Sequence, residues 1–98
     1  MGKVIFTISY EIDPAKRDEY LDLADKMKSH LAGSKGKNYA IYERKTKKNS
    51  FSEVFICKNV EEYDQLEDDQ DETTEELVGR LEGLLTNGKM KYSTLIEL

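Results

Sequence analysis

Few residues in this chain are of a type and spacing that could carry chemistry. His30 is the sole histidine, and a base titrating near neutrality is most economically a histidine. It falls near the end of a helical pattern beside Lys26 and Lys28, where cationic side chains also favour the negative end of the helix dipole. A structural role is therefore the first expectation for His30 and catalysis the second. Cys57 is the only cysteine, so it has no partner for a disulfide or a CxxC pair. Lys58 beside it would favour a thiolate, but no activating base is near in sequence, and Cys57 reads as a small buried hydrophobe. Tyrosine is unusually frequent: Tyr10, Tyr20, Tyr39, Tyr42, Tyr63 and Tyr92 are many for 98 residues. An aromatic ring with a polar tip suits a small-molecule cavity as well as a half-wet interface. On these grounds Tyr10 and Tyr92 are the pocket candidates, and His30 and Tyr42 are the candidates for catalysis. No metal and no cofactor is expected.

Two charged tracts need a reading. Glu61, Glu62, Asp64, Glu67, Asp68, Asp69, Asp71, Glu72, Glu75 and Glu76 form an acidic run with no Lys or Arg inside it. A calcium loop needs alternate oxygen ligands around a central glycine, and Asp64 to Glu76 has no glycine and places Gln65 and Leu66 badly. Helix-start acids, a solvated face or a docking surface for a basic partner explain the run better. The basic counterpart is Lys35, Lys37, Arg44, Lys45, Lys47 and Lys48. Phe6, Phe51 and Phe55 invite comparison with the base-stacking aromatics of RNA-recognition domains, but Glu53 stands at a stacking position where it would repel phosphate. With 20 acidic against 15 basic residues and a net charge of −5, nucleic acid and anionic membrane are not expected partners.

The elements that must position these residues follow from periodicity. Val4, Phe6, Ile8, Tyr10 and Ile12 alternate with Ile5, Thr7, Ser9 and Glu11, which predicts a strand with one apolar face. Asp13-Pro14 reads as a helix start, apolar residues from Tyr20 to Leu31 recur at helical spacing, and Gly33 is the expected stop. Asn38 to Lys45 and Phe51 to Cys57 read as a hairpin of two strands. Asn59 with Glu62, and Thr73 with Glu76, look like capping boxes that start two pieces of a broken second helical region. Met90 to Leu98 closes the chain as a strand. The order β-α-β-β-α-β under the connection rules is an α+β, ferredoxin-like domain over residues 1–98, a four-stranded antiparallel sheet with helices on one face. Either parity of the later strands could face the helices, since Phe55 and Cys57 oppose Val54 and Ile56. The apolar start Val4-Ile5-Phe6 is too short for a signal peptide or membrane helix, and one unpaired cysteine suits a reducing cytoplasm.

The strand VIFTISYEI running into DPAKRDEYLDLADKM, the hairpin, the strand VFICKN feeding VEEYDQL, the interrupted second helix and the terminal strand KYSTLIEL together resemble the dimeric α/β-barrel superfamily, in its antibiotic-biosynthesis-monooxygenase-like branch. The resemblance covers essentially the whole chain and lies in the fold, with no catalytic motif matched. It implies a homodimer closing a barrel across a two-fold axis, and a cavity between sheet and helices for a small aromatic or apolar molecule. It also implies cofactor-free monooxygenase-like activity as the functional prior. The haem-degrading branch is disfavoured, since the chain has no Trp and no His between Glu61 and Leu85. The other reading is a non-enzymatic dimerisation or interaction module that uses the acidic run.

Overall fold

The computed structural model describes residues 2–68 and 71–98; Asp69 and the Glu67 side chain, both part of the acidic run, lie outside what is described. Strand β1 spans Val4–Glu11. A single 3-10 turn follows at Pro14–Lys16, with the Asp13 carboxylate accepting from the Ala15 amide, and helix α1 begins at Arg17 and runs to Lys28. Strands β2 (Tyr39–Glu43) and β3 (Ser50–Cys57) form the hairpin. Helices α2 (Val60–Asp68) and α3 (Glu72–Glu82) are the two pieces of the broken helical region, and β4 spans Lys91–Ile96.

All pairings are antiparallel in the order β2-β3-β1-β4, the ferredoxin-like arrangement. Register settles the parity that the sequence leaves open. Phe6 pairs with Phe55 and Tyr10 with Phe51, so Phe51, Glu53, Phe55 and Cys57 share the helix-covered face with the even row of β1. The RNA-platform candidates Phe6, Phe51 and Phe55 therefore point beneath the helices, on the side opposite an open stacking surface.

Under the helices lies a core of Tyr10, Ile12, Tyr20, Leu23, Met27, Phe51, Leu77 and Leu81 with their neighbours. Each fully buried aliphatic or aromatic side chain here contributes about 1.5–3 kcal/mol through removal from water. Tyr20 and Leu23 come from α1 at a spacing of three, Leu77 and Leu81 from α3 at four, which is how two helices present adjacent stripes to one sheet.

Three local expectations are corrected. Gly33 does not end the first helix with positive φ; the chain instead widens into a π-helical turn at Ser29–Ser34, and the left-handed residue is Gly36, at φ 66°. Helix α3 is capped by Asp71, whose carboxylate accepts from the Thr74 amide at 2.8 Å, and not by Thr73. Asp71 sits two residues earlier, so the backbone enters the helix sooner than the Thr73–Glu76 pattern implied. The spacing of Leu77, Val78, Leu81, Leu84 and Leu85 predicts a helix up to Asn87-Gly88, but α3 ends at Glu82, after which Leu85 bridges Ile12 and the Thr86 amide donates to the Glu11 carbonyl, prolonging the sheet end instead of the helix. The Asn59 cap is as expected, its side chain accepting from the Glu62 amide at 2.8 Å.

The hairpin is fastened to α1 by Arg17. Its guanidinium donates to both Glu43 carboxylate oxygens, at 2.5 and 2.9 Å, and to the Asn49 side chain at 2.8 Å, and it lies 5.7 Å from the centre of the Phe51 ring. Asn49 holds the hairpin's left-handed position, φ 66°, which asparagine tolerates better than most residues. The Arg17 hydrogen bonds, with help from the Asn49 amide, pull the Glu43 carboxyl down to about 2. Its stabilising effect is thus complete above the ordinary value of 4.5 and is lost as pH falls toward about 2. The expected result is that Glu43→Gln flattens the acid limb of a Tm-against-pH curve between those values; an unchanged limb would contradict the role given to this ion pair.

Candidate functional site

Between the helix-covered face of the sheet and α2 and α3 lies a cavity of about 790 Å³, open on one side. Its floor is Phe6, Ile8, Glu53 and Phe55, its far wall Thr74, Val78 and Leu81 of α3, and its rim Tyr63 of α2 with Tyr92 and Thr94 of β4. The strands place alternate residues into it, and the short α2 leaves the β4 side uncovered. The widened turn after α1 brings in Leu31, and the loop beyond it brings Lys35 and Lys37.

The wall is largely aromatic. Phe6 lies 5.7 Å from Tyr63 in edge-on contact, 6.2 Å from Tyr92 in a stack and 6.1 Å from Phe55. The Tyr63 and Thr94 hydroxyls are 3.1 Å apart, tying α2 to β4 across the rim.

At the floor stands a carboxylate. Glu53 is 5% exposed, and among the described residues it is the one buried charged side chain. The Tyr39 hydroxyl donates to its Oε1 at 2.6 Å, and the Tyr10 hydroxyl also supports it. Tyr10 in turn shares a 2.8 Å hydrogen bond with Tyr20. A carboxylate can only accept, so while Glu53 is ionised Tyr39 and Tyr10 donate to it, and Tyr20 donates to Tyr10. Burial pushes the Glu53 carboxyl above its ordinary value, and the two phenol donors oppose this only in part. Burial first, and the Glu53 charge second, push Tyr10 and Tyr39 far up as well, so both remain protonated donors.

The residues singled out from sequence are dispersed. Tyr92 lines the cavity. Tyr10 is buried on the same side of the sheet, beneath the cavity and bonded into the Glu53 network. Tyr42 pairs with Ser52, which puts it on the opposite sheet face, and it is 59% exposed. His30 lies in a shallow hollow beside Asp25 and Lys26, away from the main cavity. Its Nε2 is 3.1 and 3.2 Å from the two Asp71 oxygens, and Lys35 Nζ is 3.5 Å from Asp71. The Thr74 amide, with His30 after it, holds the Asp71 carboxyl well below the usual range. His30 thus clasps the π turn to the cap of α3. Cys57 is buried, and burial pushes its thiol up, away from a reactive thiolate. Among the described residues no three His, Cys, Asp or Glu side chains are grouped to hold a metal ion, and no helix is long and apolar enough to cross a membrane.

Sequence reasoning missed Glu53, Tyr39 and Phe55 as one site. A usable signal was present: Phe51, Glu53, Phe55 and Cys57 share one strand parity, so an acid stands in an apolar row.

No family model matches the chain, and no curated protein matches it by sequence. Solved structures do match, and they share the ferredoxin-like α+β fold of this chain; antibiotic-biosynthesis-monooxygenase-like proteins are among them. A conserved protein from Methanosarcina mazei aligns over 100% of this chain and 95% of its own, with a TM-score of 0.84 and 14% identity. SnoaB, a cofactor-independent oxygenase from Streptomyces nogalater, aligns over 97% and 92%, with a TM-score of 0.73 and 11% identity. A candidate antibiotic biosynthesis monooxygenase from Caulobacter crescentus aligns over 99% and 91%, with a TM-score of 0.71 and 18% identity. Identities this low speak for the fold alone.

Proposed function

We propose that this protein is a homodimer that binds a small, largely apolar aromatic molecule between its sheet and helices, with cofactor-free oxygenation as the activity to assay. The cavity carries the reading: about 790 Å³ walled by aromatic rings, with one buried acid at its floor. Ligand sites are commonly about 300–1,000 Å³, mostly apolar, with few polar groups. The oxygenase part rests on the shared fold with the Streptomyces enzyme, whose chemistry is that protein's own.

The dimer is supported by the uncovered sheet face. Ile5 at 36%, Ile56 at 37% and Leu95 at 58% exposure lie there together with Tyr42, and an apolar strip of this kind on a sheet asks for a covering partner. Native mass spectrometry checks this part: a dimer is expected, with Ile56→Glu driving it to monomer, whereas a wild-type monomer would contradict it.

The pocket is tested with 2-naphthylmethanol, followed by its fluorescence. Binding at about 0.1 mM is expected of a fragment this size, falling at least tenfold in Val78→Trp, which fills the cavity from α3. Equal affinity in the two proteins would place the compound elsewhere and end the pocket reading. Oxygen uptake with electron-rich hydroxyarenes then tests the activity.

A further inference from the structure

We propose that Glu53 is the counter-ion for a ligand ammonium group, so that the cavity selects primary amines carried on an apolar aromatic body. This rests on the reading of the cavity as a ligand site and goes beyond it by naming what the ligand must present.

The argument begins with what surrounds the carboxylate. Buried carboxylates in proteins are ordinarily matched by a cation or a metal ion. Glu53 is held instead by the Tyr39 and Tyr10 hydroxyls, which supply hydrogen bonds but no positive charge. Because it lies at the cavity floor, the missing charge can arrive from the cavity. The walls favour the same kind of guest. Phe6, Phe55, Tyr63 and Tyr92 present ring faces and edges around the space above Glu53, and ring faces attract cations within about 6 Å of their centres. Asp64 and Asp68 of α2 line the cavity as well; Lys35 and Lys37 stand on the loop at its other side. A ligand with its ammonium on Glu53 and its rings among the aromatics satisfies both ends.

Energetics support the choice of an amine over an alcohol. Folding has already removed Glu53 from water and fixed it in place with two phenols, and an ammonium arriving beside it favours the ionised carboxylate. The remaining cost is the desolvation of one ammonium, offset by a charge-assisted hydrogen bond in a medium of low dielectric. An alcohol of the same shape gains only an ordinary hydrogen bond. No covalent or redox step is involved.

The test compares 2-naphthylmethylamine with 2-naphthylmethanol by calorimetric titration at neutral pH. Wild-type protein is expected to bind the amine at least tenfold more tightly. In Glu53→Gln the preference should vanish while alcohol affinity stays within twofold, and in Glu53→Asp, whose shorter carboxylate withdraws from the cavity, the preference should shrink. Asp64→Asn/Asp68→Asn should lower it by less than Glu53→Gln does. An amine preference that survives Glu53→Gln, or that falls as far in the Asp64/Asp68 variant as in Glu53→Gln, overturns the assignment to Glu53. Equal affinity of the two compounds for wild type overturns the proposal but leaves the pocket standing. Binding of neither compound removes the pocket and this inference together.

Discussion

Replacing Tyr20 by alanine is expected to leave the protein without a cooperative thermal transition above 37 °C. Tyr20 is 0% exposed, the largest of the fully buried side chains. Its ring centre is 4.3 Å from that of Phe51 and 5.9 Å from that of Tyr10, and its hydroxyl is bonded to Tyr10 at 2.8 Å. Truncating a buried aromatic costs about 3–5 kcal/mol, from lost burial and from the void left behind. Small domains have about 5–15 kcal/mol in total, and this one, with 98 residues and 36% of them charged, has a thin core. The alanine variant also leaves the Tyr10 hydroxyl without its partner beneath the cavity, where water cannot replace it cheaply. Tyr20→Phe separates the two losses: the ring stays, the hydrogen bond goes, and about 1 kcal/mol should be lost. Circular dichroism melts and urea titrations of the three proteins read both steps. If Tyr20→Ala melted within a few degrees of wild type, α1 could not be docked on the sheet as described.

Much of the fold was legible because its signals are local. The even row of β1 is wholly apolar from Val4 to Ile12, so its buried side could be read from the chain alone. Asp13-Pro14 and Asn59 lie where capping chemistry demands them. Signals became ambiguous where a strand is apolar on both sides. In β3, Val54 and Ile56 compete with Phe55 and Cys57, and in β2, Ala40 and Tyr42 compete with Tyr39 and Ile41. Only pairing decides between them, β3 with β1 and β2 with β3, and pairing is a long-range property. That ambiguity hid the site, because Glu53 looks solvent-facing until Phe55 is known to face the helices. Tyr42 misleads for the converse reason, since nothing local shows that it sits on the outer face. The π turn was invisible for a different cause: six residues from Ser29 to Ser34 read as an ordinary helix end, and the wider coil arises where Lys35 and Lys37 turn back to hydrogen-bond the carbonyls of His30 and Leu31. Distance in sequence also separated His30 from Asp71, so the clasp between them could not be anticipated.

Stability should peak near the ordinary carboxyl value of 4.5 and decline as pH rises above it, with Glu53 the main cause of the decline. Its carboxyl is raised above the ordinary 4.5 by burial, so between that value and its native one the folded protein binds a proton that the unfolded chain has released. Stability then falls as pH rises through this interval. Glu43 and Asp71 are shifted the other way and lose their contributions only as pH falls below their ordinary values. The two limbs therefore have separate owners. Glu53→Gln keeps an acceptor for the Tyr39 hydroxyl but carries no charge, so it should remove the decline above 4.5 and leave the acid limb intact. At pH 8 the variant should gain about 1–3 kcal/mol, the range for relieving a poorly compensated buried polar group. Each kcal/mol moves Tm by about 4–8 °C in a domain of this size. At pH 4.5 the two proteins should nearly coincide. Thermal melts from pH 3 to 9 make the comparison. If the variant were the less stable at pH 8, Glu53 would already possess a compensating charge within the fold, and the cavity floor would not be a site in want of a cation.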